Sequence, residues 1–82
     1  MSKLNVYAIR DTKTEAYARP FYLQNDDVMK RALINSISDE QSLFSTNTED
    51  FQCFHLGTFD EKTGIIEAHA PVHKLNLIDL EQ

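Results

Sequence analysis

The chain has 82 residues, of which 41% are hydrophobic and 26% are charged, and its formal net charge is -5. This length fits one domain, residues 1–82, whose core is close to the lower limit for a stable fold. No apolar run approaches the roughly 20 residues that cross a bilayer. The first ten residues mix polar and apolar types, unlike a signal peptide. We therefore expect a cytoplasmic protein with no membrane association, and the single Cys53 excludes an internal disulfide.

The charge is distributed unevenly along the chain. Residues 1–31 hold six basic and four acidic side chains, a net +2, whereas residues 32–82 hold two basic and nine acidic ones, a net -7. The negative total argues against a nucleic-acid partner. The basic part can nevertheless bind a polyanion or the acidic part of a second copy. A solvated surface with chance asymmetry is an equally good interpretation.

The N-terminal third predicts two strands. In residues 4–10, LNVYAIR, apolar side chains occur on both alternating faces, which is typical of a strand inside a sheet. The polar and small residues 11–20 predict a loop, in which Pro20 favours an extended conformation of Arg19. Residues 21–23 follow as a short strand.

Residues 26–38 predict the clearest helix. Asn25 or Asp26 can act as the N-cap, and an acidic first turn suits the positive end of the helix dipole. The apolar face predicted from the spacing consists of Val28, Ala32, Leu33 and Ile37, with Met29 and Ser36 beside it. The loop that follows contains Leu43 and Phe44, and Thr48 can cap a single helical turn.

Residues 51–67, FQCFHLGTFDEKTGIIE, predict a hairpin with strands 51–60 and 64–70. Asp60 and Gly64 bracket the turn, where glycine can adopt a positive φ. Strict alternation places Cys53, His55 and Phe59 on the face of Phe51, with Phe54 and Leu56 on the other. Gly57 can instead mark a bulge that reorients Phe59.

These elements predict an α+β fold, in which a small antiparallel sheet of about four strands packs against one main helix. The apolar tail, residues 74–82, needs a partner or the sheet edge to cover its leucines. A core this small often gains stability from association. We therefore expect a homodimer or higher oligomer, with the tail as a partner-binding or dimerisation segment.

The residues carry no recognisable catalytic or metal-binding motif. The hairpin register brings His55 close to His69, with Cys53 and His73 nearby, and zinc accepts such ligands. The usual spacing of zinc ligands is absent, and Pro71 lies between His69 and His73. Two glycines exclude a glycine-rich phosphate loop. We expect no metal, no cofactor and no enzymatic activity.

Aromatic residues alternate with basic ones near the N-terminus, a pattern that suits single-stranded nucleic acid. Bases stack on exposed rings while cations contact the phosphates. The candidate nucleic-acid-binding residues are Arg10, Lys13, Tyr17, Arg19, Phe21, Tyr22 and Lys30. The competing interpretations are that Phe21 and Tyr22 fill the core, and that Lys30 solvates the helix and pairs with Asp26.

The ordered segments EAYARPFYLQNDDVMKRAL, FQCFHLGTFDEKTGIIE and APVH resemble the small nonstructural protein of gokushovirus-type microviruses, phages with circular single-stranded DNA genomes. The resemblance covers about residues 4–73. It implies a DNA-binding protein, or one that assists the change from genome replication to packaging and is absent from the mature capsid. It transfers no defined binding residues.

The sequence therefore predicts a phage nonstructural protein that binds single-stranded DNA during replication or packaging. The alternative is a non-enzymatic protein-interaction module that contacts a viral or host protein through its acidic half. An assembly factor and a modulator of a host protein are examples of that class.

Overall fold

The computed structural model describes residues 3–81, so residues 1, 2 and 82 of the predicted domain and tail lie outside the described residues. The strands are β1 (Lys3–Asp11), β2 (Ala16–Tyr17), β3 (Phe21–Leu23), β4 (Phe51–Asp60) and β5 (Ile66–Asn76). The helices are α1 (Asp26–Ser38) and the short α2 (Leu43–Thr46), with 3-10 turns at Thr48–Asp50 and Leu77–Leu80. One antiparallel sheet with one main helix confirms the predicted α+β fold.

Strand β1 lies at the centre of the sheet, as its two apolar faces predict. One of its edges pairs with β4 along its whole length, from Lys3 opposite Asp60 to Asp11 opposite Phe51. The other edge is shared by β3 and β2, which pair with its first and last parts. Strand β5 adds to the far side of β4, giving the order β2-β1-β4-β5.

Helix α1 begins at Asp26, as predicted. The Asn25 side chain accepts a hydrogen bond of 2.9 Å from the backbone N–H of Val28, which identifies Asn25 as the N-cap. The predicted apolar face is partly wrong, because Met29 rather than Val28 is buried and Ala32 is exposed. The row that packs on the sheet is Met29, Leu33 and Ile37, spaced four residues apart.

The tail covers the core of its own chain. Leu77 is fully buried, and Leu75 and Leu80 pack against the cluster that contains Tyr7, Met29 and Leu33. Ile78 stays exposed at 39%. Three of the four apolar tail residues therefore find their partners within the chain.

The hairpin turn forms as predicted, with Gly64 at a φ of 76° and its N–H donating to the Asp60 carbonyl at 2.7 Å. Strand β5 is longer than predicted, because it continues past Pro71 to Asn76. The pairing of β4 with β5 is irregular between His55 and Gly57. A Cβ at Gly57 would lie 2.1 Å from the carbonyl oxygen of Glu67, so this close crossing requires glycine.

Candidate nucleic-acid interface

Within residues 3–81, the sheet has one face under α1 and one face that no helix covers, which we call the open face. Tyr7, Ile9 and Cys53 point to the helix side, since they belong to the core cluster with Met29 and Leu33. By register and alternation, the open face carries Leu4, Val6, Ala8, Arg10, Tyr17, Tyr22, Gln52, Phe54, Gly57, Phe59, Ile66, Ala68, His73 and Asn76. None of these positions is acidic.

A row of rings crosses one half of the open face. Tyr17 meets Phe54 edge to face at a centroid distance of 5.5 Å, and Phe54 meets His73 in the same way at 5.5 Å. Ala8, opposite Phe54 on β1, is completely buried. Its small side chain leaves room for the Tyr17 and Phe54 rings to meet above β1.

A second ring pair lies on the other half. Tyr22 and Phe59 meet edge to face at 5.8 Å. Tyr22 pairs with Val6, which is 5% exposed although no helix covers this side. Tyr17 and Tyr22 remain 44% and 43% exposed. The rings therefore shield the small residues between them and still offer aromatic surface to a ligand.

Basic side chains lie beside the first row. The guanidinium carbon of Arg10 lies 6.0 Å from the centroid of the Tyr17 ring, within range of a cation–π contact. Lys13 is exposed in the turn between β1 and β2, and Arg19 is exposed between β2 and β3. Rings that can stack on bases are thus bordered by cations that can contact phosphates.

A polar cleft of about 440 Å³ lies on the helix side, lined by Asn5, Asn25, Asp26, Asp27, His55 and Lys74. The Tyr7 hydroxyl and the Lys74 ammonium both donate to Asp26. The hydrogen bond from Tyr7 lowers the pKa of Asp26, and Lys74 lowers it further. Burial and the contact with Asp26 raise the pKa of Tyr7. These partners satisfy the Asp26 carboxylate, and exposed Asp27 leaves the cleft with a net negative charge.

Cys53 faces the core and is completely buried. Burial, assisted by the negative charge of Asp26, raises the pKa of its thiol to about 12. A protonated, enclosed thiol is a poor nucleophile and a poor metal ligand. Within residues 3–81, no group of three or more His, Cys, Asp or Glu side chains is arranged to hold a metal ion.

The family model described as Phage ORF5 protein matches residues 4–80. The chain belongs to the Phage ORF5 protein family. It is therefore a bacteriophage protein. No curated protein and no solved structure matches it. Among the described residues, no helix has the length and apolarity needed to span a membrane.

The fold brings some of the predicted site residues together and separates others. Arg10, Tyr17 and Tyr22 share the open face, and Lys13 and Arg19 lie in its flanking turns. The Phe21 ring stacks on Tyr7 at 5.8 Å and packs against the core, since it alternates with Tyr22 along β3. Lys30 is exposed on α1, in the opposite layer.

Three aromatic side chains of the open face were missed as candidate site residues. Phe54 and His73 complete the first row, and Phe59 completes the second pair. Phe59 reaches this face because Leu56 is an extra residue between His55 and Gly57, which oppose the adjacent Tyr7 and Val6. The bulge considered at Gly57 was the sequence signal for this reversal.

Proposed function

We propose that this Phage ORF5 family member is a non-enzymatic, nonstructural protein of a gokushovirus-type microvirus. It binds single-stranded DNA without sequence preference in the host cytoplasm, during genome replication or packaging. The observation that carries the proposal is the open face, where exposed Tyr17 and Tyr22 rings lie among positions that include no acidic residue.

Unpaired bases suit this face better than a duplex does. Stacking on a protein ring requires the flat side of a base, which neighbouring base pairs cover in a duplex. Arg10 is the single basic residue among the open-face positions. Affinity should therefore come largely from ring contacts, with a limited electrostatic share.

The net charge of -5 does not prevent this arrangement. Exposed acidic residues such as Glu40, Glu49 and Glu61 lie in turns that connect the elements, and Asp27 lies on α1 in the other layer. Exposed charges farther apart than about 10 Å are largely screened at ordinary salt concentrations. Arg10, Lys13 and Arg19 lie on or beside the open face, and exposed Glu15 in the same turn as Lys13 offsets one of these charges.

The first test compares labelled single-stranded and double-stranded oligonucleotides of about thirty nucleotides by fluorescence anisotropy. The single strand should bind more tightly, irrespective of its sequence. With about three phosphate contacts, log K should fall with log salt at a slope of about -2. Replacement of Tyr17 by Ala should weaken binding about ten-fold or more, since one stacked base contributes about 1–3 kcal/mol.

A pair of lysine substitutions provides the matched control. Lys13 lies beside the open face. Lys13→Gln should weaken binding and reduce the slope of log K against log salt by about 0.7. Lys30→Gln removes the same charge from the helix layer and should change neither value. Equal effects of both substitutions would indicate non-specific attraction rather than a defined interface.

Absence of binding to the single strand at low salt would overturn the proposal. The protein-interaction function, in which a viral or host protein binds the acidic half of the chain, would then take its place. Co-purification from infected cells separates the two functions, because DNA-dependent capture is abolished by nuclease treatment and protein capture is not.

A further inference from the structure

His55 and His69 form a hydrogen-bonded chain whose ends are fixed by two backbone carbonyls. At one end, the Asn5 Nδ2 group donates to the Gln24 carbonyl at 2.8 Å. The amide oxygen of Asn5 must therefore be the atom that lies 2.9 Å from His55 Nε2. A carbonyl-type oxygen only accepts, so His55 Nε2 has to carry a hydrogen.

The other end imposes the same condition on His69. Its Nδ1 lies 2.7 Å from the carbonyl oxygen of Ala70 and must donate to it. Between the two rings, His55 Nδ1 lies 2.9 Å from His69 Nε2, and that contact needs one hydrogen as well. The chain thus requires three N–H groups, whereas two neutral imidazoles supply two.

We propose that His55 and His69 form a proton-gated latch that is closed when the pair carries one extra proton. In the closed latch, His69 is the cation and donates from both ring nitrogens, to the Ala70 carbonyl and to neutral His55. His55 donates in turn to Asn5. Loss of the extra proton removes one of the three hydrogen bonds, and gain of another abolishes the contact between the rings.

The surroundings assign the extra proton to His69. Burial lowers the pKa of His55, and so do the positive charges of His69 and Lys74, whereas the negative Asp26 on α1 acts in the opposite direction. From β1, the Tyr7 ring contacts His55 edge to face at 5.4 Å. His69, by contrast, is exposed to solvent.

The latch acts on an irregular part of the β4–β5 pairing. Gly57 pairs with Ala68 and His55 pairs with Val72, so residues 69–71 of β5 oppose the single residue Leu56 of β4. These three residues are outside the regular ladder, and Pro71 has no N–H to donate. The side chain of His69 is therefore the tether of this segment to β4 and β1, and protonation decides whether it holds.

The test is a titration of the intact protein by NMR, which distinguishes the two ring nitrogens of each histidine. On lowering the pH from about 8 to about 5.5, across the ordinary histidine range, His69 should become doubly protonated while His55 keeps a hydrogen on Nε2 alone. Hydrogen exchange at residues 69–70, corrected for its intrinsic pH dependence, should slow several-fold over the same range. Further acidification should reverse this protection.

Two variants make the outcome specific. His69→Gln should remove the pH dependence of hydrogen exchange. His73→Gln alters a histidine that is not part of the hydrogen-bonded pair, and it should retain this pH dependence. Independent titration of His55 and His69, or protection of residues 69–70 that ignores pH, would overturn the latch. The titration of the unaltered protein decides the question even if a variant fails to fold.

Discussion

Asp26 connects three elements through one carboxylate. It is the first residue of α1, it accepts from Tyr7 on β1, and it pairs with Lys74 on β5 at 3.0 Å. The Tyr7 ring is completely buried, so its hydroxyl depends on this acceptor. The two side chains of the contact with Lys74 are 33% and 45% exposed, so solvent screens most of its contribution.

Replacement of Asp26 by Asn should lower the free energy of unfolding at neutral pH by about 1 kcal/mol. Because the folded-state pKa of Asp26 lies below the unfolded value, its contribution is present above about pH 4 and is lost as the pH falls further. The variant should therefore lose less stability than the unaltered protein on acidification. Urea unfolding at several pH values measures both effects.

Asp27→Asn is the control for this experiment, since Asp27 is the exposed neighbour in the same helical turn. It should leave the free energy of unfolding within about 0.5 kcal/mol of the original value. An equal loss in both variants would show that the helix dipole, rather than the contact with Tyr7, explains the effect.

The β4–β5 hairpin depends on two glycines for different reasons. Gly57 has no room for a Cβ against the Glu67 carbonyl, whereas Gly64 has open space but a positive φ of 76°. Gly57→Ala should destabilise the protein by about 3 kcal/mol or more, because the backbones of β4 and β5 must separate. Gly64→Ala should cost about 1–2 kcal/mol through its conformation alone.

Denaturant midpoints of the two glycine variants provide the measurement. A Gly57→Ala protein as stable as the Gly64→Ala protein would contradict the close crossing of β4 and β5. The same substitution should also weaken binding to single-stranded DNA, because Phe59 follows Gly57 and depends on the bulge to reach Tyr22.

Elements encoded by local signals could be predicted from the sequence. The Asn25 cap and the turn from Asp60 to Gly64 involve neighbours within a few residues, and both form where the sequence places them. Alternation alone does not assign side chains correctly to the two faces of the sheet, since the single extra residue Leu56 moves the Phe59 side chain to the opposite face. The open face depends on such tertiary details, and β2 has only two residues.

The state of association of the whole molecule remains a prediction. An 82-residue core is small, and Ile66, Val72 and Ile78 are exposed. Light scattering at micromolar concentration should give at least twice the chain mass of 9.5 kDa. Ile78→Lys should reduce that mass if the tail forms the contact, because a buried unpaired charge is costly.

A monomer mass in the unaltered protein would contradict the predicted oligomer without affecting the open face. A multimer that Ile78→Lys leaves intact would show that the contact between subunits lies outside the tail. This outcome agrees with the burial of Leu75, Leu77 and Leu80 in the core of the same protomer.

The central position of β1 has a consequence for synthesis. This strand precedes all of its partners in the chain, and its long partner β4 runs from Phe51 to Asp60. Until β4 is synthesised, β1 can pair only with the short strands β2 and β3, which share one of its edges. Such distant pairing slows folding, because the loop must close before contacts compensate for it. The centre of the sheet can therefore be completed only after residues 51–60 have left the ribosome.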